Sequence, residues 1–255
     1  MTKIAVIGLG EAGTLYARGL RASGAEVRGY DPHVRADDAV AQYDEPADAV
    51  TGADVVLSLV WARTAVAAAE RVIPLLPRGA VYADLNTAAP EVKERVAAIG
   101  DAHGVAVADV AVLAPVPRAG ERTALLASGA GASLFADFLR PLGAPVEVLD
   151  APAGDAAKRK LLRSVFMKGL AALVIEGLEA ARATGTEEWL REQMAREFGP
   201  GGAAKVDHLV TGTHRHIERR EQEVRDALAI LEAEGRHADI TRATLAWYDR
   251  ILAER

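Results

Sequence analysis

Short runs of β-branched and apolar residues alternate with alanine-rich stretches along the first 150 residues of the chain. Such runs, bounded by Gly, Pro or Asp, are typical of strands. Seven runs are strand candidates: residues 3–7, 26–30, 54–59, 80–84, 105–108, 124–128 and 146–149. Three alanine-rich stretches between the early runs are helix candidates: residues 12–23, 63–73 and 90–99. This alternation, with strands that are apolar on both faces, predicts a mostly parallel sheet covered by helices.

The pattern changes near Asp150, after which no convincing strand follows. Residues 155–184 hold no proline and are rich in Ala, Leu, Val and Lys, which predicts one helix about 45 Å long. Further helices are predicted at residues 187–197, 203–211, 215–234 and 239–254, separated by glycine-containing breaks at 199–202, 211–213 and 235–237. We therefore predict two domains, an α/β domain over residues 1–152 and an all-α domain over residues 153–255, joined by the long helix.

The composition narrows the class of protein further. Of the 255 residues, 50% are hydrophobic and 26% are charged, which argues against disorder. Cysteine is absent, so the sequence excludes disulfides, zinc–thiolate and iron–sulfur sites and a cysteine nucleophile. The net charge of -6, without a dense basic tract, argues against a nucleic-acid partner. Because no apolar run approaches about 18 residues and the first residues do not resemble a signal peptide, we expect a cytoplasmic protein without a membrane partner.

The first strand candidate leads directly into a glycine-rich segment, Gly8-Leu9-Gly10-Glu11-Ala12-Gly13. In a dinucleotide-binding turn of this spacing, Gly8 permits the tight turn, Gly10 lets the backbone approach a pyrophosphate, and Gly13 lets the helix pack on the sheet. The phosphates lie at the helix N-terminus, where unpaired N–H groups and the helix dipole favour anions. The position between a predicted strand and a predicted helix favours a dinucleotide site, with all six residues as contacts, over an ordinary turn.

Asp31 follows the second strand candidate, close to the interval of about 20 residues expected for a ribose ligand. A carboxylate there hydrogen-bonds a ribose 2′-hydroxyl and repels a 2′-phosphate, so NAD is favoured over NADP. Two alternatives remain. Asp31 starts an Asp-Pro turn that has no ligand, or Arg28 or Arg35 serves a 2′-phosphate and NADP binds.

In an open parallel sheet, ligands bind beyond the carboxyl ends of the strands. Leu59, Val60 and Trp61 come at the end of the third strand candidate, and we predict that Leu59 and Val60 line the nicotinamide side. The alternative, that Trp61 is a side chain of the core, is at least as favoured. Asn86 and Thr87 follow the next strand candidate and offer polar contacts. Their alternative role is to cap the helix that begins near Pro90. A further loop, residues 109–117, is so apolar that we assign no catalytic residue to it.

Lys160, Ser164 and Lys168 are four residues apart and share one face of the long predicted helix. A partly desolvated lysine has a lowered pKa, so it can accept a substrate hydroxyl proton while hydride leaves for nicotinamide. The alternative is that Lys158-Arg159-Lys160 forms a solvated basic turn, and spacing alone favours this alternative.

The helical region offers Arg219 and Arg220, which could bind an anionic substrate group through paired hydrogen bonds. The alternative, that they are charges exposed on an amphipathic helix, is somewhat favoured. His214 and His216 are separated by one residue and do not share a helical face, so we predict no metal site.

The chain resembles the β-hydroxyacid dehydrogenase superfamily over nearly its whole length. The segments that carry the resemblance, in the order that the superfamily uses, are residues 8–13, 84–90, the loop from Asp109, and residues 154–160. That superfamily includes 3-hydroxyisobutyrate and 6-phosphogluconate dehydrogenases and, more distantly, imine reductases. Gly154, Lys160 and Lys168-Gly169 make the chain most similar to a phosphogluconate dehydrogenase-like branch whose C-terminal domain has no assigned function.

The resemblance implies a doubly wound Rossmann domain, a long interdomain helix and a helical domain that pairs two chains. It also implies that Lys160 is the proton-transfer residue, and that Asn86 and Thr87 lie in the loop near the nicotinamide and the substrate. Two departures put a simple hydroxy-acid substrate in doubt. Ser164 replaces the usual Asn, and the loop at residues 109–115 lacks the Ser-Gly-Gly that holds the substrate carboxylate, although we keep Val112 as a substrate candidate.

Together these features predict an NAD(P)-dependent oxidoreductase that transfers hydride between nicotinamide and a small, anionic hydroxy or oxo compound. Lys160 would be the general base in oxidation and the general acid in reduction, while Ser164 and Asn86 orient the substrate. The alternatives are an imine reductase-like enzyme and a dinucleotide-binding sensor without turnover. We also expect a homodimer through the helical domain, because a long helix packed by few short ones would leave apolar surface exposed in a monomer.

Overall fold

The computed structural model describes residues 1–37 and 40–254. Contacts between residues divide the chain into two compact units, Met1–Lys160 and Leu161–Arg255. The first unit is an α/β unit and the second is helical, so the predicted order of an α/β region followed by an all-α region is confirmed.

The first unit is built on a sheet that, within the described residues, has eight strands. They are β1 Lys3–Ile7, β2 Glu26–Tyr30, β3 Ala41–Tyr43, β4 Val55–Ser58, β5 Val81–Asp84, β6 Ala106–Val112, β7 Leu125–Ser128 and β8 Val146–Val148. Their order across the sheet is β3-β2-β1-β4-β5-β6-β7-β8. Neighbouring strands are parallel except β6 and β7, which are antiparallel. The strand order reverses direction beside β1, which is the doubly wound topology predicted from the resemblance.

Helices cover both faces of this sheet and form the second unit. They are α1 Glu11–Ala22, α2 Pro46–Val50, α3 Ala65–Val72, α4 Pro90–His103, α5 Ala132–Leu139, α6 Asp155–Ala183, α7 Glu187–Glu197, α8 Gly202–Arg215, α9 Ile217–Ala233 and α10 Asp239–Ala253. Helix α6 is continuous and ends one residue before the predicted end, so the single long helix is confirmed. No described helix combines the length and the apolar character needed to cross a membrane.

Two clusters of buried side chains lie on the two faces of the sheet. Val6 and Leu57 pack with α1 and α5 in one cluster, whereas Ile7 and Val56 pack with α2, α3 and α4 in the other. Successive side chains of a strand point to opposite faces, so strands covered on both sides must be apolar throughout. This double burial explains the continuous apolar runs in the sequence.

The helical unit is held together by two smaller apolar clusters. Ile175 of α6 packs with Val224 of α9 and Tyr248 of α10, and Val174 packs with Val206 of α8. Neighbouring positions on α6 therefore serve different clusters, and the apolar surface of this helix extends around much of its circumference.

Several boundaries differ from those predicted. Three elements were missed: β3, α2 and α5. The first two have three and five residues, which is too short for a periodic pattern to show. Strand β6 continues to Val112 instead of ending at residue 108, because its last residues pair with the antiparallel strand β7.

The predicted helix break at residues 211–213 is wrong. Helix α8 continues to Arg215, and the Thr213 hydroxyl donates to the Leu209 carbonyl within it. A Cβ atom at Gly212 would lie 2.9 Å from Nη2 of Arg220. The glycine therefore allows the close approach of an arginine from α9, instead of marking a turn.

Candidate functional site

The turn between β1 and α1 is tight at its two ends. The Gly8 φ angle is +96°, and a Cβ atom there would lie 2.5 Å from the Leu59 carbonyl oxygen. A Cβ atom at Gly13 would lie 1.9 Å from the carbonyl oxygen of Gly8. Only glycine avoids these contacts, so the first and last glycines of the motif are required by the shape of the turn.

The centre of the same turn is open. A Cβ atom at Gly10 would have no neighbour within 4 Å among the described residues. The first N–H groups of α1, those of Glu11, Ala12 and Gly13, have no intrahelical acceptor. Gly10 at the N-cap has no side chain that could accept hydrogen bonds from them. This open set of backbone donors at a positive helix end fits the pyrophosphate of a nicotinamide dinucleotide.

Asp31 joins the turn to the loop that follows β2. One carboxylate oxygen accepts a hydrogen bond of 2.8 Å from the Leu9 N–H, and the other accepts from the N–H groups of His33 and Val34. The turn considered as the alternative role of Asp31 is thus present. The same bonds fix the carboxylate beside the glycine turn, at the end of β2 where a ribose would be bound.

The two arginines considered for a 2′-phosphate have other partners. Arg28 donates to Glu26 and to the backbone carbonyls of Asp48 and Thr51. Arg35 pairs with Asp44 at 2.6 Å on the surface. A cleft of about 470 Å³ lies beside the turn, and its lining residues are Leu9, Gly10, Glu11, Thr14, Leu15, Arg18, Val34 and Pro117.

A row of polar side chains crosses the sheet at one level. Ser58, Asp84, Asp109 and Ser128 occupy paired register positions on the neighbouring strands β4, β5, β6 and β7. All four are buried. The row lies at the carboxyl ends of β4 and β5, where an open parallel sheet binds its ligands.

Asn86 extends this polar row. Its side-chain Nδ2 donates to the Ser58 Oγ at 3.1 Å, and its backbone N–H donates to Asp84 Oδ1 at 2.9 Å. The side chain is 5% exposed, and its Oδ1 atom has no hydrogen-bond partner in the described part of the chain. A buried acceptor without a donor is costly, so the Asn86 Oδ1 atom is an unsatisfied position in this polar row.

Lys160 contacts the loop that carries Asn86. Its Nζ atom donates to the Thr87 Oγ1 at 2.8 Å. Two positions that were 73 residues apart in the sequence are therefore brought together within the first unit. This contact gives the predicted proton-transfer lysine a place beside the polar loop after β5.

Leu59, Val60 and Val112 are half-buried at strand ends. Leu59 lies against Gly8, since its carbonyl oxygen limits the space at that glycine, and a Val60 methyl carbon is the next neighbour there. Val112 is the last residue of β6. None of the three offers a side-chain hydrogen-bonding group, so each could shape a pocket without taking part in proton transfer. Trp61, the residue after Val60, is 73% exposed, so the alternative of a core tryptophan is wrong.

Ser164, Arg219 and Arg220 lie in the helical unit. Ser164 is buried and accepts from the Lys168 Nζ at 3.3 Å, and Lys168 forms an ion pair with Glu223. Burial lowers the pKa of Lys168. This lysine and Glu223 thus connect α6 to α9, and Glu223 was missed because nothing in its sequence context marks it.

The two arginines differ from each other. The Arg219 side chain is 64% exposed and 3.8 Å from Glu223, as the alternative of exposed charge anticipated. Arg220 donates to the Thr213 Oγ1 at 2.7 Å, and burial lowers its pKa. Among the residues described, no group of three or more His, Cys, Asp or Glu side chains is arranged to hold a metal ion.

Comparison with known proteins gives two family matches that together cover most of the chain. Residues 3–147 match the NAD-binding domain of 6-phosphogluconate dehydrogenase. Residues 181–251 match a domain of unknown function, DUF1932. The first match supports a nicotinamide dinucleotide as the cofactor, and it covers the glycine turn, Asp31 and the loop with Asn86 and Thr87.

Solved structures resemble the whole chain. A conserved hypothetical protein from Sinorhizobium meliloti is 32% identical, covering 98% of this chain and 88% of that one, with a TM-score of 0.76. The conserved protein MTH1747, described as similar to 3-hydroxyacid dehydrogenases, is 27% identical over 98% of this chain and 96% of its own, with a TM-score of 0.77. The 3-hydroxyisobutyrate dehydrogenase of Mycobacterium tuberculosis, solved with L-serine, shares the fold at 20% identity and a TM-score of 0.84, covering 99% and 94% of the two chains.

Proposed function

We infer that this chain, which belongs to the family defined by the NAD-binding domain of 6-phosphogluconate dehydrogenase, transfers hydride between nicotinamide and a small hydroxy or oxo compound. The observation that carries the proposal is the 2.8 Å contact between Lys160 Nζ and Thr87 Oγ1. This contact supports a lysine amine at the edge of the sheet where the parallel strands have their carboxyl ends. The glycine turn that follows β1 lies at the same edge. A proton donor or acceptor is needed there, because removing hydride from an alcohol carbon requires loss of the hydroxyl proton.

The cofactor would be held mainly by backbone groups. The N–H groups that open α1 would bind the pyrophosphate, and Leu59 and Val60 would border the nicotinamide. When bound, the dinucleotide supplies the hydride acceptor in oxidation and the hydride donor in reduction. The Asp31 carboxylate beside the Leu9 N–H supports NAD over NADP, since a 2′-phosphate would be brought close to a negative charge.

Lys160 would handle the proton of the substrate. As a base it accepts the hydroxyl proton during oxidation, and as an acid it returns a proton to the carbonyl oxygen during reduction. Asn86 would orient the reacting group from the loop after β5, where Asp84 and Ser58 hold its position. The substrate would be a small anionic compound, and Val112, the last residue of β6, remains a candidate contact for it.

Reduction of an imine is the second candidate. Val112 and Leu113 are half-buried and offer no polar group where a substrate carboxylate would be held. An apolar loop there suits an uncharged imine better than a carboxylate. Turnover of cyclic imines but not of keto acids would favour this candidate.

We propose that two copies of the chain pair through the helical unit. Leu162, Phe166 and Leu173 lie four and seven residues apart along α6, and Phe166 is 66% exposed. Apolar side chains at this spacing form one stripe, which a second copy would cover. A mass near 26.9 kDa by light scattering at micromolar concentration would contradict the proposal.

Calorimetric titration tests the cofactor, with NAD⁺, NADH, NADP⁺ and NADPH each added to the purified chain. We expect binding of both NAD forms, and weaker binding of the phosphorylated forms. Turnover is then assayed with hydroxy acids, keto acids and cyclic imines under the preferred cofactor. Binding without turnover across the whole panel would point to a dinucleotide sensor, and the absence of binding by all four would end the proposal.

A further inference from the structure

A lysine that plays no part in the proposed chemistry is buried at the centre of the polar row. Lys93 of α4 is 1% exposed, and its Nζ atom donates to the Asp84 carbonyl oxygen at 2.8 Å. The same atom lies 3.3 Å from the carboxylate of Asp84 and 3.4 Å from that of Asp109. A buried lysine is rarely found without such partners, because removing its charge from water is costly.

The Asp84 carboxylate connects Lys93 to the loop after β5. Its Oδ1 atom accepts from the Asn86 backbone N–H and also from the Asn86 Nδ2. Asn86 is thereby fixed in both backbone and side chain, and Thr87 follows directly. The position of the Thr87 hydroxyl thus depends on a carboxylate that Lys93 holds.

The Asp109 carboxylate connects Lys93 to the start of α6. Its Oδ2 atom accepts from the N–H groups of Gly154 and Ala157 at 3.0 Å and 3.1 Å. A carboxylate at this end of a helix is favoured by the helix dipole as well as by the unpaired N–H groups. Lys160 follows Ala157 by three residues, so the anchored turn is the one that presents the lysine.

Lys93 is therefore the shared counter-ion of two carboxylates whose hydrogen bonds lead to Thr87 and to Lys160. We propose that Lys93 is a positioning residue that sets the distance between Lys160 and the Asn86–Thr87 loop. The catalytic consequence rests on the proposed function, but the geometric one does not. A buried ion network is often no more stabilising than apolar residues of the same volume. Such a network can instead fix one arrangement of the groups around it, which here are the Asn86–Thr87 loop and the first turn of α6.

The test replaces the charge with a side chain of similar length, Lys93→Met. We expect kcat to fall about 10- to 100-fold, because small displacements of reacting groups are costly, while KM for the dinucleotide is unchanged. Strand β4 separates β1, which leads into the glycine turn, from Asp84 at the end of β5, so the affinity for the dinucleotide should not respond. Lys205→Met, at an exposed lysine of the helical unit, is the matched control and should retain the kcat of the parent chain.

Hydrogen exchange provides the readout that does not depend on activity. In Lys93→Met, the amides of Gly154 and Ala157 should lose protection, while amides in β1, α1 and the helical unit keep theirs. A uniform loss of protection would mean that Lys93 only stabilises the fold, and it would overturn the proposal. If the parent chain turns over no substrate, the proposed function fails, yet the exchange experiment still decides the role of Lys93.

A second variant covers the case in which Lys93→Met does not fold. Lys93→Met combined with Asp84→Asn keeps the same net buried charge as the parent chain, while it removes the link between the two carboxylates. We expect it to fold, with the same loss of kcat and the same local loss of protection. Wild-type kcat and protection in a folded variant, or failure of both variants to fold, would overturn the proposal.

Discussion

The candidate site has two halves that owe their shape to different groups, the backbone beside β1 and the side chains across β4 to β7. Beside β1, the shape comes from the backbone of three glycines, two of which have no room for a Cβ atom. Across β4 to β7, the shape comes from buried side chains that meet from distant parts of the chain, such as Ser58, Asp84 and Asp109. The first half offers backbone donors to a ligand, and the second offers side-chain groups.

This difference should decide how each half responds to substitution. A backbone turn cannot relax around an added methyl group when the nearest atom is another backbone carbonyl, so the expected damage is to the fold and to dinucleotide binding. A side-chain cluster can lose one exposed member and keep its fold, so the expected damage there is to turnover.

The largest effect is expected from Lys160→Ala, in the side-chain half. Lys160 is only half-buried, so its removal should leave the fold intact. We expect kcat to fall about 10²- to 10⁴-fold, the usual contribution of a general acid or base, with dinucleotide affinity unchanged. Steady-state kinetics and calorimetry measure the two quantities separately. Lys158→Ala is the matched control. A loss of turnover in that variant, with turnover kept in Lys160→Ala, would show that Lys158 transfers the proton and that Lys160 does not.

The next largest effect is expected from Gly13→Ala, in the backbone half. The new Cβ atom would lie 1.9 Å from the Gly8 carbonyl oxygen, so we expect the free energy of unfolding to fall by about 3 kcal/mol. Thermal or denaturant unfolding measures this loss.

Gly10→Ala is the matched variant, because the space at Gly10 is open. Its stability should change by less than about 0.5 kcal/mol, while dinucleotide affinity falls about tenfold as the methyl group keeps the pyrophosphate from the backbone. Equal affinities in Gly10→Ala and the parent chain would mean that the turn does not hold a pyrophosphate.

The same contrast explains how much of the site could be predicted from the sequence. Gly8 and Gly13 are five positions apart and Gly13 packs against Gly8 itself, so a local motif was enough to identify the turn, although Leu59 also limits the space at Gly8. The seven predicted strands and the long helix were also local patterns, set by burial on two faces. Asn86 and Thr87 could be named because they follow a strand end, where ligands bind in such sheets.

The buried network could not be predicted in this way. Asp109 meets Ala157 across 48 residues and Lys160 meets Thr87 across 73, distances at which spacing carries no information. Lys93 lies in the first turn of α4, three residues after Pro90 and directly before Glu94, a context that usually means an exposed charge. Gly212 was taken for a break because the arginine that requires its small size lies eight residues away, on the next helix.

The smallest effect is expected from Asp31→Asn, which tests the charge beside the backbone half without changing its shape. The amide keeps an acceptor for the Leu9 N–H but removes the negative charge that disfavours a 2′-phosphate. We expect the ratio of NADPH to NADH affinity to rise about tenfold, which corresponds to about 1.4 kcal/mol, with stability lowered by about 1 kcal/mol for the weakened turn bonds. Arg35→Ala is the control, since Arg35 is paired with Asp44 and should leave the ratio unchanged. A selective loss of NADPH affinity in Arg35→Ala would instead identify that arginine as a phosphate ligand, and the preference for NAD would then not follow from the carboxylate.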